Sequence, residues 1–239
     1  MVLKIVSCPS PNHDARPAGG VIDILVLHYT GMKTGEEALA RLCDPAAKVS
    51  AHYTIDRDGR IYAHVPEERR AWHAGVSYWA GETNVNARSI GIELVNPGHE
   101  FGYEPFPAAQ IAALLDLAQR ILARHPIAPR RVLGHSDVAP ARKMDPGELF
   151  PWERLAEFGI GLWPQLSAPG RKESAAPRSD TTQSVAAAAL SHYGYGISPQ
   201  VDVALESVIA AFQRHFRPRE ITGRWDGECA SLLRALLAT

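Results

Sequence analysis

Cysteine is scarce in this chain: Cys8, Cys43 and Cys229 are the whole complement in 239 residues, and no two form a Cys-x-x-Cys pair. That spacing excludes a disulfide framework and a thiolate zinc site, and reduced thiols are the expectation. An excess of one charge is also missing. Lys and Arg number 25 against 26 Asp and Glu, for a net charge of -1, so nothing points to nucleic acid or an anionic membrane surface. No apolar run reaches the length of a membrane span. The opening Met1-Val2-Leu3-Lys4-Ile5-Val6 is too short for the apolar core of an export signal, so a cytoplasmic protein is expected. There is no internal repeat and no His-Glu-x-x-His motif, which removes solenoids and one common zinc-peptidase design. At 46% hydrophobic and 21% charged, the chain reads as a soluble globular protein with one good core and room for a small second domain.

The chemistry gathers in Gly134-His135-Ser136-Asp137-Val138-Ala139-Pro140-Ala141-Arg142-Lys143-Met144-Asp145-Pro146-Gly147. Arg131-Val132-Leu133 reads as a short strand, so His135 projects from a strand end. A loop rich in Pro and Gly can then fold back and bring Asp145 beside it. An imidazole nitrogen and a carboxylate oxygen suit zinc, which in catalytic sites keeps one position open. The plainer reading is a surface loop capped by its own Asp side chains. A third ligand has to come from elsewhere.

Val21 to Leu27 is nearly continuous apolar and β-branched, as in a central strand covered on both faces. It runs into His28-Tyr29-Thr30-Gly31 at the strand's carboxyl end, the usual place for ligand groups. Thr34-Gly35-Glu36-Glu37 fits a capping box before a helix that runs to about Cys43. Two short strand patterns flank Arg57-Asp58-Gly59, a hairpin signal. Arg88 to Val95 reads as another strand. Ile111, Leu114, Leu115, Ala118, Ile121 and Leu122 recur at helical spacing until His125-Pro126 stops them. The order strand, helix, hairpin, strand, helix, strand predicts an α/β fold, a mixed central sheet flanked by helices. Residues 1–163 would form this domain. The Ser-, Ala- and Pro-rich stretch 164–181 would be a linker, and 182–239 a small three-helix domain with helices near 182–193, 199–216 and 226–238. Its five basic and five acidic residues give no electrostatic bias toward nucleic acid.

His28 is the best candidate for the third ligand. With His135 and Asp145 it would leave a fourth position open for water, acidified toward neutral pH and able to attack a carbonyl. Glu93 is the second anomaly, because strand alternation sets Gly91, Glu93 and Val95 opposite Ile90, Ile92 and Leu94. A carboxylate inside an interior strand is costly unless paired or wet. It is either half of a salt bridge, to Arg88 or Arg142, or a general base beside the metal water. Gly91 would leave room for a substrate backbone. Lys143, two residues before Asp145, would steady an oxyanion if the metal site is real. Trp72, His73 and Trp79 form an aromatic patch that suits sugar rings or peptide stems, or core packing alike. His52 and His64 read as packed or pocket-lining residues, not ligands.

The motifs Leu27-His28-Tyr29-Thr30, Ser50-Ala51-His52-Tyr53, Ala71-Trp72-His73-Ala74-Gly75, Ser89-Ile90-Gly91-Ile92-Glu93-Leu94 and the Gly134 to Gly147 loop together strongly resemble the AmpD/AmiD-type zinc N-acetylmuramoyl-L-alanine amidases. Their fold is shared with phage amidases and peptidoglycan recognition proteins, and the resemblance covers about residues 20–155. It implies hydrolysis of the amide between N-acetylmuramic acid, or its anhydro form, and L-alanine of peptidoglycan or muropeptides, for wall turnover. It implies one zinc per chain held by His28, His135 and Asp145, with Glu93 activating water and Lys143 stabilising the intermediate. Tyr53, Trp72, His73 and Arg88 are expected to bind substrate. Val208 to Phe216, Thr222 to Asp226 and the leucine-rich last helix look like a peptidoglycan-binding domain. That module favours polymeric wall as a target and makes the periplasm the alternative location. Two rival functions differ in class: a non-catalytic peptidoglycan receptor, which has no chemical need for an open zinc, and a zinc peptidase that cuts within the stem peptide. Oligomeric state is not legible.

Overall fold

The computed structural model describes residues 5–166, 180–197 and 203–239. In chain order the elements are β1 (Ile5–Ser7), β2 (His13–Ala15), β3 (Ile24–Tyr29), α1 (Gly35–Cys43), β4 (Tyr53–Ile55), β5 (Ile61–Ala63), β6 (Arg69–Ala71) and α2 (Val85–Arg88). Then follow β7 (Ser89–Leu94), α3 (Gly98–Phe101), α4 (Ala108–Arg124), β8 (Val132–Gly134), α5 (His135–Val138), α6 (Trp152–Ala156), α7 (Asp180–Tyr193), α8 (Leu205–Phe216) and α9 (Gly227–Leu237). Six strands form one mixed sheet in the order β1-β5-β4-β7-β3-β8, parallel throughout except for the β4–β5 hairpin, while β2 and β6 pair antiparallel beside it.

Each element follows from a local signal. The Thr34 hydroxyl accepts from the Glu37 N–H, 3.1 Å, and starts α1, as the capping pattern predicts. Gly59 closes the hairpin at φ 87°, where a side chain would also run into the Ala109 carbonyl, so glycine is required twice over. In α4 the buried residues Ile111, Leu114, Leu117, Ala118 and Ile121 make one stripe, which packs against the sheet.

Strand β3 is apolar throughout because it is covered on both faces. Leu25 and Leu27 join Ile90, Ile92, Leu94 and the α4 stripe in one core. Ile24 and Val26 join Leu133, Val138 and Trp79 in the other, together with Leu190, Tyr195, Phe212 and Leu233 of the C-terminal helices. The expected helices at 182–193 and 226–238 correspond to α7 and α9, while the one expected at 199–216 is shorter, beginning at Leu205 as α8, and residues 198–202 lie outside the described residues. These helices share a core with the central sheet and close one face of it. Most of the expected linker lies outside the described residues. The sequence pattern missed this docking because an amphipathic stripe says that a helix buries a face, not which surface buries it.

Candidate metal centre

Register puts the polar residues of the sheet in one row. In the parallel pairings His28 lies beside Glu93, and Glu93 beside Thr54. His28 and Glu93 stand one residue before the carboxyl ends of β3 and β7, and Thr54 in the middle of β4, all on the face opposite the Leu25–Ile92 core. β8 stops at Gly134, opposite Leu27, so His135 follows one position on, beside His28. The loop after α5 then returns Asp145 to the same point, pinned by the Ser136 N–H, which donates to the Asp145 carbonyl at 2.9 Å.

Three atoms converge there. His28 Nδ1 and His135 Nδ1 are 2.9 Å apart, and each is 3.0 Å from Asp145 Oδ2. All three side chains are buried, at 1%, 4% and 5% exposure. Hydrogen bonding alone does not account for this triangle, because the other side of each ring decides where its proton sits. His135 Nε2 lies 3.1 Å from the Ala74 carbonyl, which only accepts, so Nε2 carries the hydrogen and Nδ1 a lone pair. For His28 the inference runs through a relay. The Ser89 hydroxyl donates to the Val85 carbonyl at 2.7 Å and therefore accepts from His73 Nε2 at 3.1 Å. His73 Nδ1 then accepts from His28 Nε2 at 3.0 Å, which leaves His28 Nδ1 unprotonated too. Two nitrogen lone pairs and a carboxylate oxygen face one point, and that donor set fits a divalent cation. Burial and the repulsion of His135 push His28 down to about 4, which keeps the ring neutral as a ligand must be. Burial alone would raise Asp145, but His135 and His28 hold it well below the ordinary carboxylate range.

The site opens into a cleft of about 350 Å³ lined among others by Tyr29, Trp72, Glu93, Arg142 and Lys143. Glu93 is the only member of the strand row without a satisfied head group: among the described residues nothing hydrogen-bonds its buried Oε2. Burial first, and the Asp145 carboxylate second, push its pKa well above the usual carboxylate range, while Lys143 opposes them. Neither arginine offered as its salt-bridge partner takes that part. Arg88 pairs with Asp23 and Glu82, and Arg142 donates to the Ala74 and Val76 carbonyls at 3.0 and 2.5 Å.

Four expectations about the groove need restating. Trp72 lines the cleft. His73 reaches the cleft wall, but its two ring nitrogens serve His28 and Ser89, so it supports the metal ligand and is not free for substrate. Gly91 leaves no room for a substrate backbone: a side chain there would meet the His73 ring at 2.5 Å, so glycine makes room for the relay. Arg88 and Tyr53 do not line the cleft, since Arg88 is held in its ion pairs and the Tyr53 hydroxyl donates to Glu67 at 2.8 Å. His52 and His64 are packed, as expected. Ser89 was missed because a serine opening a strand carries no signal of its own.

Glu67 yields a pH prediction. Burial would raise it, but Arg124, His125 and the Tyr53 hydroxyl bring it down to about 2. A carboxylate held below its unfolded value of 4.5 contributes stability that is complete above about pH 4.5 and lost as the pH falls toward about 2. Glu67→Gln should lower Tm at pH 7 and flatten the acid side of the Tm–pH curve. An unchanged acid limb would show that this cluster is not a determinant.

Asp137, two residues after His135, ties the ligand loop to the C-terminal helices. Its Oδ2 accepts from the Gly134 N–H and from His215 Nδ1, both at 2.7 Å, and its Oδ1 accepts from the Tyr195 hydroxyl at 2.7 Å. The His215 ring stacks on Trp152, with centroids 3.7 Å apart.

A mixed sheet that brings three metal donors together, with a carboxylate on the neighbouring strand lining the same cleft, defines a hydrolytic enzyme of the metal-assisted type. Comparison with known proteins narrows the class. Residues 18–148 match the family model for N-acetylmuramoyl-L-alanine amidase, and the chain belongs to that family. It is 41% identical over 234 residues to N-acetylmuramoyl-L-alanine amidase AmiD of Escherichia coli, covering 90% of this chain and 82% of AmiD. It is 38% identical to 1,6-anhydro-N-acetylmuramyl-L-alanine amidase AmpD of Enterobacter cloacae, but over 61% of this chain. In structure it superposes on AmiD in complex with anhydro-N-acetylmuramic acid-L-Ala-D-gamma-Glu-L-Lys with a TM-score of 0.79 at 39% identity, covering 93% of this chain and 91% of AmiD. On AmpDh3 of Pseudomonas aeruginosa the TM-score is 0.81 at 38% identity, covering 93% of both chains. The expected fold and enzyme class are therefore borne out, and neither a pure receptor nor a stem-peptide peptidase is supported.

Proposed function

We propose that this enzyme hydrolyses the amide between the lactyl group of N-acetylmuramic acid, or its anhydro form, and L-alanine of the stem peptide, in peptidoglycan or its muropeptide fragments. The observation that carries the reading is the convergence of His28 Nδ1, His135 Nδ1 and Asp145 Oδ2 on the cleft that Glu93 and Lys143 line. The relatives of known name act on this bond, and an anhydromuramyl peptide occupies the solved AmiD complex. We assign one zinc per chain to those three atoms. Bound there, zinc would supply Lewis acidity, lowering the pKa of water and polarising a carbonyl oxygen.

The chain's own residues do the rest. Glu93, buried and raised in proton affinity, takes a proton from the attacking water at its carboxylate and returns it to the leaving L-alanine nitrogen. Lys143 sets a cation on the cleft wall where charge develops on the scissile oxygen. The Trp72 ring offers a flat apolar face to a sugar or a peptide stem. His73 and Ser89 hold His28 in its ligating tautomer. His73→Phe keeps a ring in place but removes the acceptor for His28 Nε2. It should weaken zinc affinity about 10–100-fold, measured by competition with a chromophoric chelator. Wild-type affinity in that variant would remove the relay from the account.

We propose further that the C-terminal helices add affinity for polymeric wall. A Glu93→Ala protein should co-sediment with insoluble wall even when a saturating small muropeptide fills the cleft. If the muropeptide releases all of it, the cleft alone holds the wall.

A further inference from the structure

Cys8 and Cys43 lie 35 residues apart in sequence, yet their sulfur atoms are 3.4 Å apart, in van der Waals contact. We propose that these two residues are a disulfide site: on meeting a small-molecule or protein disulfide oxidant they close an intrachain bond that fastens the N-terminal strand to the helix walling the cleft. Spacing hid the pair from the sequence reading, since β1 and α1 meet only through the fold. Cys8 follows β1 and donates its N–H to the Ala63 carbonyl at 2.9 Å. Cys43 is the last residue of α1, whose Ala38, Arg41 and Leu42 line the cleft. Cys229 is different in kind, fully buried among the C-terminal helices.

The backbone on both sides of the pair is already fixed. The Ser10 hydroxyl donates to the Leu42 carbonyl, and Asn12 Nδ2 donates to the Asp44 and Val49 carbonyls at 2.8 and 2.9 Å. The Ser50 hydroxyl returns a bond to the Asn12 carbonyl at 2.6 Å. Two half-buried thiols held together by such a frame form a bond with little loss of native freedom, while the unfolded chain loses the entropy of a long loop.

His64 completes a trio with these thiols, and a metal site is the competing use. The ring speaks against it. His64 Nδ1, the nitrogen 3.8 Å from Cys43 Sγ, lies 2.7 Å from the Cys8 carbonyl and must donate there. Its Nε2 accepts from the Thr54 hydroxyl at 2.8 Å. No lone pair faces the sulfurs, in contrast to His28 and His135.

The exchange balances in two steps. One cysteine loses its proton to solvent, attacks a sulfur of the oxidant disulfide and releases the first thiol. The second cysteine, deprotonated in turn, attacks the mixed disulfide at the protein sulfur and expels the second thiol. The two cysteines give up two electrons and two protons, and one oxidant disulfide becomes two thiols. Burial and the Cys8 contact push Cys43 up to about 12, so Cys43 rests as the protonated thiol until the exchange begins. The bond would persist in an oxidising compartment and stay open in a reducing one.

The test uses the full chain. It is incubated with oxidised glutathione, excess reagent is removed, and free thiols are alkylated and counted by intact mass. The expected result is one remaining thiol of three, a mass lower by two hydrogens, a proteolytic peptide linking Cys8 to Cys43, and a Tm about 5–10 °C above the re-reduced sample. Cys8→Ser and Cys43→Ser should abolish both the link and the shift. Three free thiols, a glutathione adduct that never resolves, or a bond between two chains would each overturn the proposal. So would protection of both thiols by one zinc beyond that taken by the His28 site, which would make the trio a metal site instead.

Discussion

Glu93→Gln is expected to cut turnover by about 10²–10⁴-fold, the range general acid–base groups supply, while the protein keeps its metal and its fold. The glutamine is nearly isosteric with the carboxyl it replaces and cannot shuttle a proton. Stability should move the other way. The native carboxyl is buried beside Asp145, and among the described residues nothing hydrogen-bonds its Oε2. An uncompensated buried acid is a cost to the folded state, of the kind carried at functional sites in exchange for activity. The metal-free variant should therefore melt no lower than the metal-free wild type. A variant that is inactive because it has lost zinc or unfolds early would refute the assigned role, and so would full activity.

Removing residues 180–239 is expected to abolish the folded enzyme rather than merely its wall binding. The sequence pattern alone predicts the opposite, that a tethered module can be cut away with cleavage of small muropeptides intact. The physical difference lies in what the module covers. Trp79, Leu133 and Val138 of the sheet side are buried with Tyr195, Phe212 and Leu233, and deletion would turn that layer out to water. Asp137 would lose Tyr195 and His215 and keep only the Gly134 N–H, beside the ligand His135. Each large apolar side chain turned out to water costs about 1.5–3 kcal/mol, so exposing several of them is large against a total stability of about 5–15 kcal/mol for an ordinary domain. The truncated chain should be insoluble or lack a cooperative melt. Tyr195→Phe isolates the polar part, with an expected loss of about 1–3 kcal/mol in denaturant unfolding. A soluble truncated protein with wild-type melting and full muropeptide turnover would return the module to a tether.

Much of the site was legible because its chemistry is local and directional. His28 ends an apolar strand, His135 follows another, and Asp145 sits in a loop short enough to return. Parallel register does the remaining work, bringing Glu93 beside His28. The parts that were not legible depend on contacts between distant segments. His73 and Ser89 act through ring tautomers that only three-dimensional neighbours decide. Arg88 and Tyr53 are expected in the groove from the sequence, but Asp23, Glu82 and Glu67 claim them. Helical periodicity found α7, α8 and α9 but carried no information on the surface they cover. The thiol pair at Cys8 and Cys43 escaped for the same reason.

The central claim is that three named atoms hold the zinc on which cleavage at the muramoyl–alanine bond depends. The most direct test is mass spectrometry of products from a defined anhydromuramyl tripeptide, run on the metal-stripped protein and on the same protein after one equivalent of zinc, with His28→Ala beside it. The account predicts no product from the stripped protein, release of the intact peptide beginning at L-alanine after zinc, and no recovery in His28→Ala. Cleavage within the stem peptide, or equal release from the stripped protein, would contradict it.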